Sequence, residues 1–155
     1  MKNLANFHYV AIFNLLCYNE LEKFEAEKRI KMNSFIIGDV EFGIGSFEYS
    51  VKDNVLNLEI YADEDRFDEL CEDDDFEFGW ALDAPQIYFT DVPVDGTEVF
   101  VDEDLLEQCD IALYMMEHND FYGKVLISDK VICIEGEVDL MGEVHDLSIR
   151  LEINS

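Results

Sequence analysis

The last thirty residues before the C-terminal Asn-Ser alternate between apolar and polar side chains almost without a break. In VHDLSIRLEI (144–153), Leu147, Ile149, Leu151 and Ile153 are separated by Ser148, Arg150 and Glu152. A strand sends successive side chains to opposite faces, so the pattern predicts one buried face and one wet face. KVLIS (124–128) and VICIEGEVDL (131–140) read as two more strands, with Asp129-Lys130 and Met141-Gly142-Glu143 as the turns. Antiparallel sheets tolerate water on one side, whereas parallel sheets are covered on both. A chain of this kind must build an antiparallel sheet and then cover its apolar face.

The same period of two runs upstream from residue 35. FIIGDVEF (35–42) reads as a strand. In SFEYSV (46–51), Phe47, Tyr49 and Val51 share a face, and in VLNLEIY (55–61) Leu56, Leu58 and Ile60 do so. Lys52-Asp53-Asn54 between them predicts a hairpin turn. Gly38, Gly43 and Gly45 mark a bulge or tight bend at this edge. FEFGWAL (76–82) alternates Phe76, Phe78, Trp80 and Leu82 and reads as a strand. QIYFT (86–90) and EVFV (98–101) are short strands, with Pro93, Asp95 and Gly96 turning the chain between them.

Helical spacing occurs in three places. Residues 4–18 are apolar nearly all round, and ELEKFEAEKRIK (20–31) is built of strong helix formers. One helix over 4–30 is expected, with a buried strand as the alternative for 4–18. In ADEDRFDELCEDDD (62–75), Phe67, Leu70 and Cys71 predict a short helix whose other face is carboxylate. In DEDLLEQCDIALYMMEH (102–118), apolar residues at 105, 106, 109, 112, 113 and 116 predict a helix capped by Asp102 or Asp104. The rival reading makes IALYMM a strand. With 155 residues the chain has one core's worth of material. The expected fold is a single α+β domain over 1–155. It has a helical segment at 4–30 and is mostly β from 35 onward: a twisted antiparallel sheet of about seven or eight strands packed by one or two helices.

Charge then narrows function. The net charge is −27, from 37 acids and 10 bases. Residues 1–52 hold seven acids and six bases, while residues 63–110 hold nineteen acids against Arg66 alone. Such a polyanion does not bind nucleic acid through phosphates, nor an anionic membrane surface. No apolar run reaches the ~18 residues of a membrane span. Lys2 followed by apolar residues up to Cys17 has the outline of a lipoprotein leader. Leu16 stands where a small residue is needed, however, and His8 and Asn14 interrupt the run, so no cleavage is expected. Cys17, Cys71, Cys109 and Cys133 contain no C-x-x-C, and buried thiols in a reducing cytoplasm are expected.

No catalytic signature emerges, and no cofactor is expected. Carboxylate pairs are everywhere, so none stands out as an acid–base couple. Asp63-Glu64-Asp65 and Glu72-Asp73-Asp74-Asp75 offer oxygens to a hard cation but lack the spacing and glycine of an EF-hand loop. Glu117-His118-Asn119-Asp120 lacks the second histidine of a zincin, and His118 is expected to satisfy the carbonyls of a helix end. The glycines at 38–45 lack the Lys-Ser/Thr of a phosphate loop. Phe67, Phe76, Phe78, Trp80, Tyr88 and Phe89 stand among acids, as interface anchors do. The alternation of 76–80 points instead to the core.

Dense negative charge without a catalytic set reads as a binding protein for a basic partner, since complementary fields speed association. In its size, its few cysteines and its acidic stretch 63–110, the chain is similar to the acidic immunity proteins that bacteria make against toxins. The resemblance is one of class and not of motif. It implies a cytoplasmic inhibitor that occludes the basic active-site cleft of a cognate toxin. The carboxylates standing in for substrate phosphates would come from two segments. One holds Asp63, Glu64, Asp65, Asp68 and Glu69, then Glu72, Asp73, Asp74, Asp75 and Glu77. The other holds Asp102, Glu103, Asp104 and Glu107. The alternatives are a nucleic-acid mimic acting on a DNA-binding protein and a non-catalytic acidic interaction module.

Overall fold

The computed structural model describes residues 33–153. The helix expected over 4–30, with Cys17 and His8, lies outside them. The strands are β1 (Ser34–Ile37), β2 (Val40–Glu41), β3 (Ile44–Lys52), β4 (Val55–Ala62), β5 (Gln86–Pro93) and β6 (Glu98–Val101). They continue with β7 (Asp110–Tyr114), β8 (His118–Asn119), β9 (Phe121–Ile127), β10 (Val131–Leu140) and β11 (Glu143–Glu152). Helix α1 (Glu64–Cys71) follows β4, and helix α2 (Glu103–Gln108) follows β6. Among the described residues, no helix is long and apolar enough to cross a membrane.

The antiparallel α+β character is as expected, but in place of seven or eight strands in one sheet the described residues form eleven strands in two. The six-stranded sheet has the order β2-β1-β11-β10-β9-β6, and the five-stranded sheet β3-β4-β5-β7-β8. The chain crosses between them after β2, β5, β6 and β8. Each apolar face is thus covered chiefly by the other sheet. Leu56, Leu58 and Ile60 of β4 share one core with Leu147, Ile149 and Leu151 of β11. Phe89 of β5 meets Phe121 of β9 edge to face, with centroids 5.6 Å apart. Two amphipathic sheets closing on each other bury both apolar faces without needing long helices.

The hairpins follow from turn chemistry. Asp53 and Asn54 both take positive φ (53° and 60°) between Lys52 and Val55, which are paired across the ladder. Met141 and Gly142 do the same (56° and 84°) between Leu140 and Glu143. Two residues at positive φ make the turn whose twist matches antiparallel strands. The expected strand 35–42 is itself a hairpin, β1 turning at Gly38-Asp39 into β2. A bulge between Ile44 and Ser46 sits at Gly45, as expected of these glycines.

Gly123 of β9 and Gly136 of β10 are cross-strand partners on the inner face. A Cβ on Gly123 would come 2.6 Å from the Gly136 Cα, and one on Gly136 would come 2.9 Å from the Gly123 Cα. The two backbones approach too closely here for a Cβ on either residue, so the pair is side-chain-free.

Two further expected elements differ. Residues 76–82 are not a strand but successive tight turns, with N–H groups of Phe76, Gly79 and Ala81 donating three residues back to Asp73, Phe76 and Phe78. The alternation arises because these aromatics plug one end of the sandwich. Phe78 is buried, its ring near those of Phe42, Phe76, Trp80 and His145. The helix expected over 102–118 stops at Gln108, and residues 110–114 form β7, as in the rival reading. Ile111, Ala112 and Leu113 are all buried, so this apolar run satisfies both periods, and pairing with β5 decides.

Candidate functional site

In β4, Leu58, Ile60 and Ala62 face the core, so Glu59 and Tyr61 face out. The same alternation turns Gln86 and Tyr88 of β5 outward. Tyr114 of β7 and His118 of β8 lie on that face too. Register brings them into two rows. Tyr61 pairs with Gln86, Gln86 with Tyr114, and Tyr114 with His118. Beside them Glu48 pairs with Glu59, Glu59 with Tyr88, and Tyr88 with Ala112.

Hydrogen bonds hold these side chains in place. The Tyr61 hydroxyl donates to Glu59 Oε2 at 2.9 Å. The Tyr88 hydroxyl lies 2.7 Å from His118 Nδ1. The His118 ring is T-shaped to Tyr88 and tilted against Tyr114, with centroids 5.8 and 5.3 Å away. The hydrogen bond to Glu59 raises the Tyr61 phenol above its ordinary pKa, helped by slight burial and by the Glu59 and Glu48 charges. Burial raises Tyr88, with the Asp110 carboxylate adding to it. Both phenols stay neutral at physiological pH.

Three open depressions meet at Tyr61. One, of about 430 Å³, lies between Tyr61 and the Tyr88, Tyr114 and His118 group, with Gln86 below. A second, of about 500 Å³, runs from Tyr61 past Glu64, Phe67 and Asp68 to Asp83. A third, of about 440 Å³, joins Tyr61 to Ser46, Asp63, Glu64 and Asp65. Tyr61 is thus the hinge-post between the outer face of this sheet and the acidic start of α1.

The first acidic segment sits at this end. Asp63 caps α1, its Oδ1 accepting from the Arg66 N–H at 3.0 Å. Glu64, Asp65, Asp68 and Glu69 lie exposed on the helix, as expected, while Phe67 is buried. Glu72, Asp73, Asp74 and Asp75 are exposed in the turn beyond, with Asp73 Oδ1 accepting from the Asp75 N–H. Glu77 belongs to the aromatic plug, its Oε1 3.3 Å from His145 Nδ1.

The second segment is elsewhere. Asp102 caps α2 by accepting from the Leu105 N–H, and Glu103, Asp104 and Glu107 are exposed around it. Helix α1 leaves the five-stranded sheet at Ala62, near the Gln86–Tyr114 pair. Helix α2 leads into Asp110, which pairs with Thr90. Four residues of strand, roughly 13 Å, separate those positions. The two segments therefore stand at opposite ends of the sheet and do not form one patch.

Of the aromatics set among acids, Phe67, Phe78 and Phe89 are core, Phe76 and Trp80 are half-buried against it, and Tyr88 alone faces out on the sheet. His118 does not end a helix; it sits on β8 against Tyr88. Cys71 is an exposed thiol and not a buried one, with slight burial and the Asp68 charge raising its pKa; Cys109 is half-buried and Cys133 buried. Sequence reasoning missed Glu59, Tyr61, Gln86 and Tyr114. The signal for Tyr61 was present: it occupies a wet position in the Leu56–Ile60 alternation. Among the described residues, no three His, Cys, Asp or Glu converge as metal ligands would. In comparisons with known proteins, no family model matches this chain, and neither a curated protein nor a solved structure is similar to it.

Proposed function

We propose that this chain is a non-catalytic inhibitor of a basic protein, an immunity-type protein that occludes the active-site cleft of a cognate toxin in the cytoplasm. One observation carries the reading: nineteen acids against Arg66 over residues 63–110, with the acids of α1 on the surface. Arg66 offsets one of these nineteen charges and leaves the field strongly negative. Its Nε donates to the Glu41 carbonyl at 3.3 Å and its Nη1 lies 3.7 Å from Glu69. A field of one sign steers an opposite partner inward, and the surface that then closes needs aromatic anchors. Tyr61, Tyr88 and Tyr114 supply such anchors next to α1.

The test is a pull-down with the tagged full chain from native lysate at low salt, eluted by a salt gradient. One basic protein captured in fixed ratio and released late, whose own activity stops when the chain is added back, is the expected result. A smear of ribosomal and DNA-binding proteins released early would overturn it.

A further inference from the structure

We propose that the depression between Tyr61 and the Tyr88–His118–Tyr114 group is a receptor for one arginine side chain of the basic partner. The inference rests on the binding role proposed above and names the contact that would anchor it. Four observations converge on a planar cation.

The walls are aromatic and stand apart. Tyr61 and Tyr114 flank Gln86 on successive strands, so two strand spacings, roughly 10 Å, separate their backbones. Among the described residues, Tyr61 makes no ring contact with Tyr88 or Tyr114, whereas the His118 ring meets both of the latter, edge-on to Tyr88 and tilted against Tyr114. The depression opens between these walls, so a cation bound in it meets aromatic faces or edges on both sides.

The counter-charge is in place. Glu59 Oε2 accepts from the Tyr61 hydroxyl, which leaves Oε1 turned to no partner among the described residues. Glu48 stands directly beside Glu59. No lysine or arginine lines the depression, whereas the Glu59 carboxylate does, so it holds a fixed negative charge and no fixed positive one. A second copy of this chain is disfavoured by its own charge of −27.

The walls are also fixed in advance. Tyr61 is tied to Glu59 and Tyr88 to His118, so little rotamer freedom remains to be lost on binding. Tyr61 nevertheless keeps 39% of its surface exposed, available to an incoming group. Finally, the fit selects guanidinium over ammonium. A flat, weakly hydrated cation stacks between rings and spreads donors toward both Glu59 and the Gln86 carboxamide; a compact ammonium does neither.

The experiment follows tyrosine ring signals of the full chain by NMR while blocked arginine amide, blocked lysine amide or blocked citrulline amide is added. Citrulline keeps the shape and removes the charge. Arginine amide is expected to saturate shifts at Tyr61, Tyr88 and Tyr114, lysine amide to bind roughly 3-fold more weakly, and citrulline amide to give no saturable shift. Tyr61→Leu and Glu59→Gln should each weaken arginine binding by roughly 5-fold, while Tyr61→Phe keeps the ring and most of the affinity. Equal binding of citrulline overturns the proposal. So does unchanged arginine binding by a Tyr61→Leu chain whose other signals show the native fold. With a captured toxin, an unchanged Kd for Tyr61→Leu removes the arginine receptor and leaves the inhibitor standing. Failure to capture any toxin, with arginine amide still saturating, removes the inhibitor and leaves the receptor.

Discussion

The two acidic segments are built alike and placed differently. Each is a short helix capped by an aspartate, with acids in its first turn and no base in its last. Helix α1 buries Phe67 against Phe76 and joins the aromatic plug and the Tyr61 depressions. Helix α2 buries no residue fully; Leu105 and Leu106 are half-covered. Charge already favours the first end, which holds ten acids and Arg66 where the second holds four acids. The apolar and aromatic surface beside the charge separates them further, because steering brings a partner close and desolvated anchors keep it.

The largest effect should come from the plug. Phe78→Ala should cost about 3–5 kcal/mol in denaturant unfolding, since the buried ring cannot be replaced by collapse of four aromatic neighbours. Leu105→Ala at the other end should cost about 1–2 kcal/mol. Equal losses would erase the difference between the ends. Next, reversing Asp73, Asp74 and Asp75 together to Lys should slow association with the basic partner about tenfold or more at low salt. The matching reversal of Glu103, Asp104 and Glu107 should change it far less. If the second reversal proves the more damaging, the site lies at the α2 end.

Smaller effects sharpen the same contrast. Asp63→Ala and Asp102→Ala should each cost about 1 kcal/mol through a lost cap, read by thermal unfolding. Only the first should also weaken partner binding. The smallest effect is alkaline. The Tyr61 phenol titrates higher in the folded chain than when unfolded, so its contribution is complete below about pH 10 and is lost as pH rises through the folded value. Tyr61→Phe should flatten that part of the decline in melting temperature, and an unchanged decline would show that the Glu59 hydrogen bond carries no stability.

The fold was most legible where neighbours in sequence are neighbours in space. VICIEGEVDL (131–140) is β10 residue for residue, and Lys52-Asp53-Asn54 turns where expected, because alternation and turn chemistry are local. Residues 76–82 misled because end-plugging aromatics and strand alternation look the same in one dimension. Residues 110–114 misled because a run buried on both sides satisfies either period. The division into two sheets was illegible, since nothing local tells a strand which sheet it joins after a crossover. The site was half legible. The exposed carboxylates of 63–77 follow from composition, whereas Tyr61, Tyr88, Tyr114 and His118 meet only through the register of four strands.

The close approach at Gly123 and Gly136 has a consequence for how this chain tolerates change. Most surface positions here can vary freely, and most core positions accept another hydrophobe of similar size. At these two positions the constraint is the lack of any side chain, and it binds both residues at once. In a library randomised at 123 and 136 together, survivors should return glycine at both sites, while single alanines should already spread the sheet. The close approach of two neighbouring strands is thus written in two missing methyl groups, a message that hydropathy does not carry.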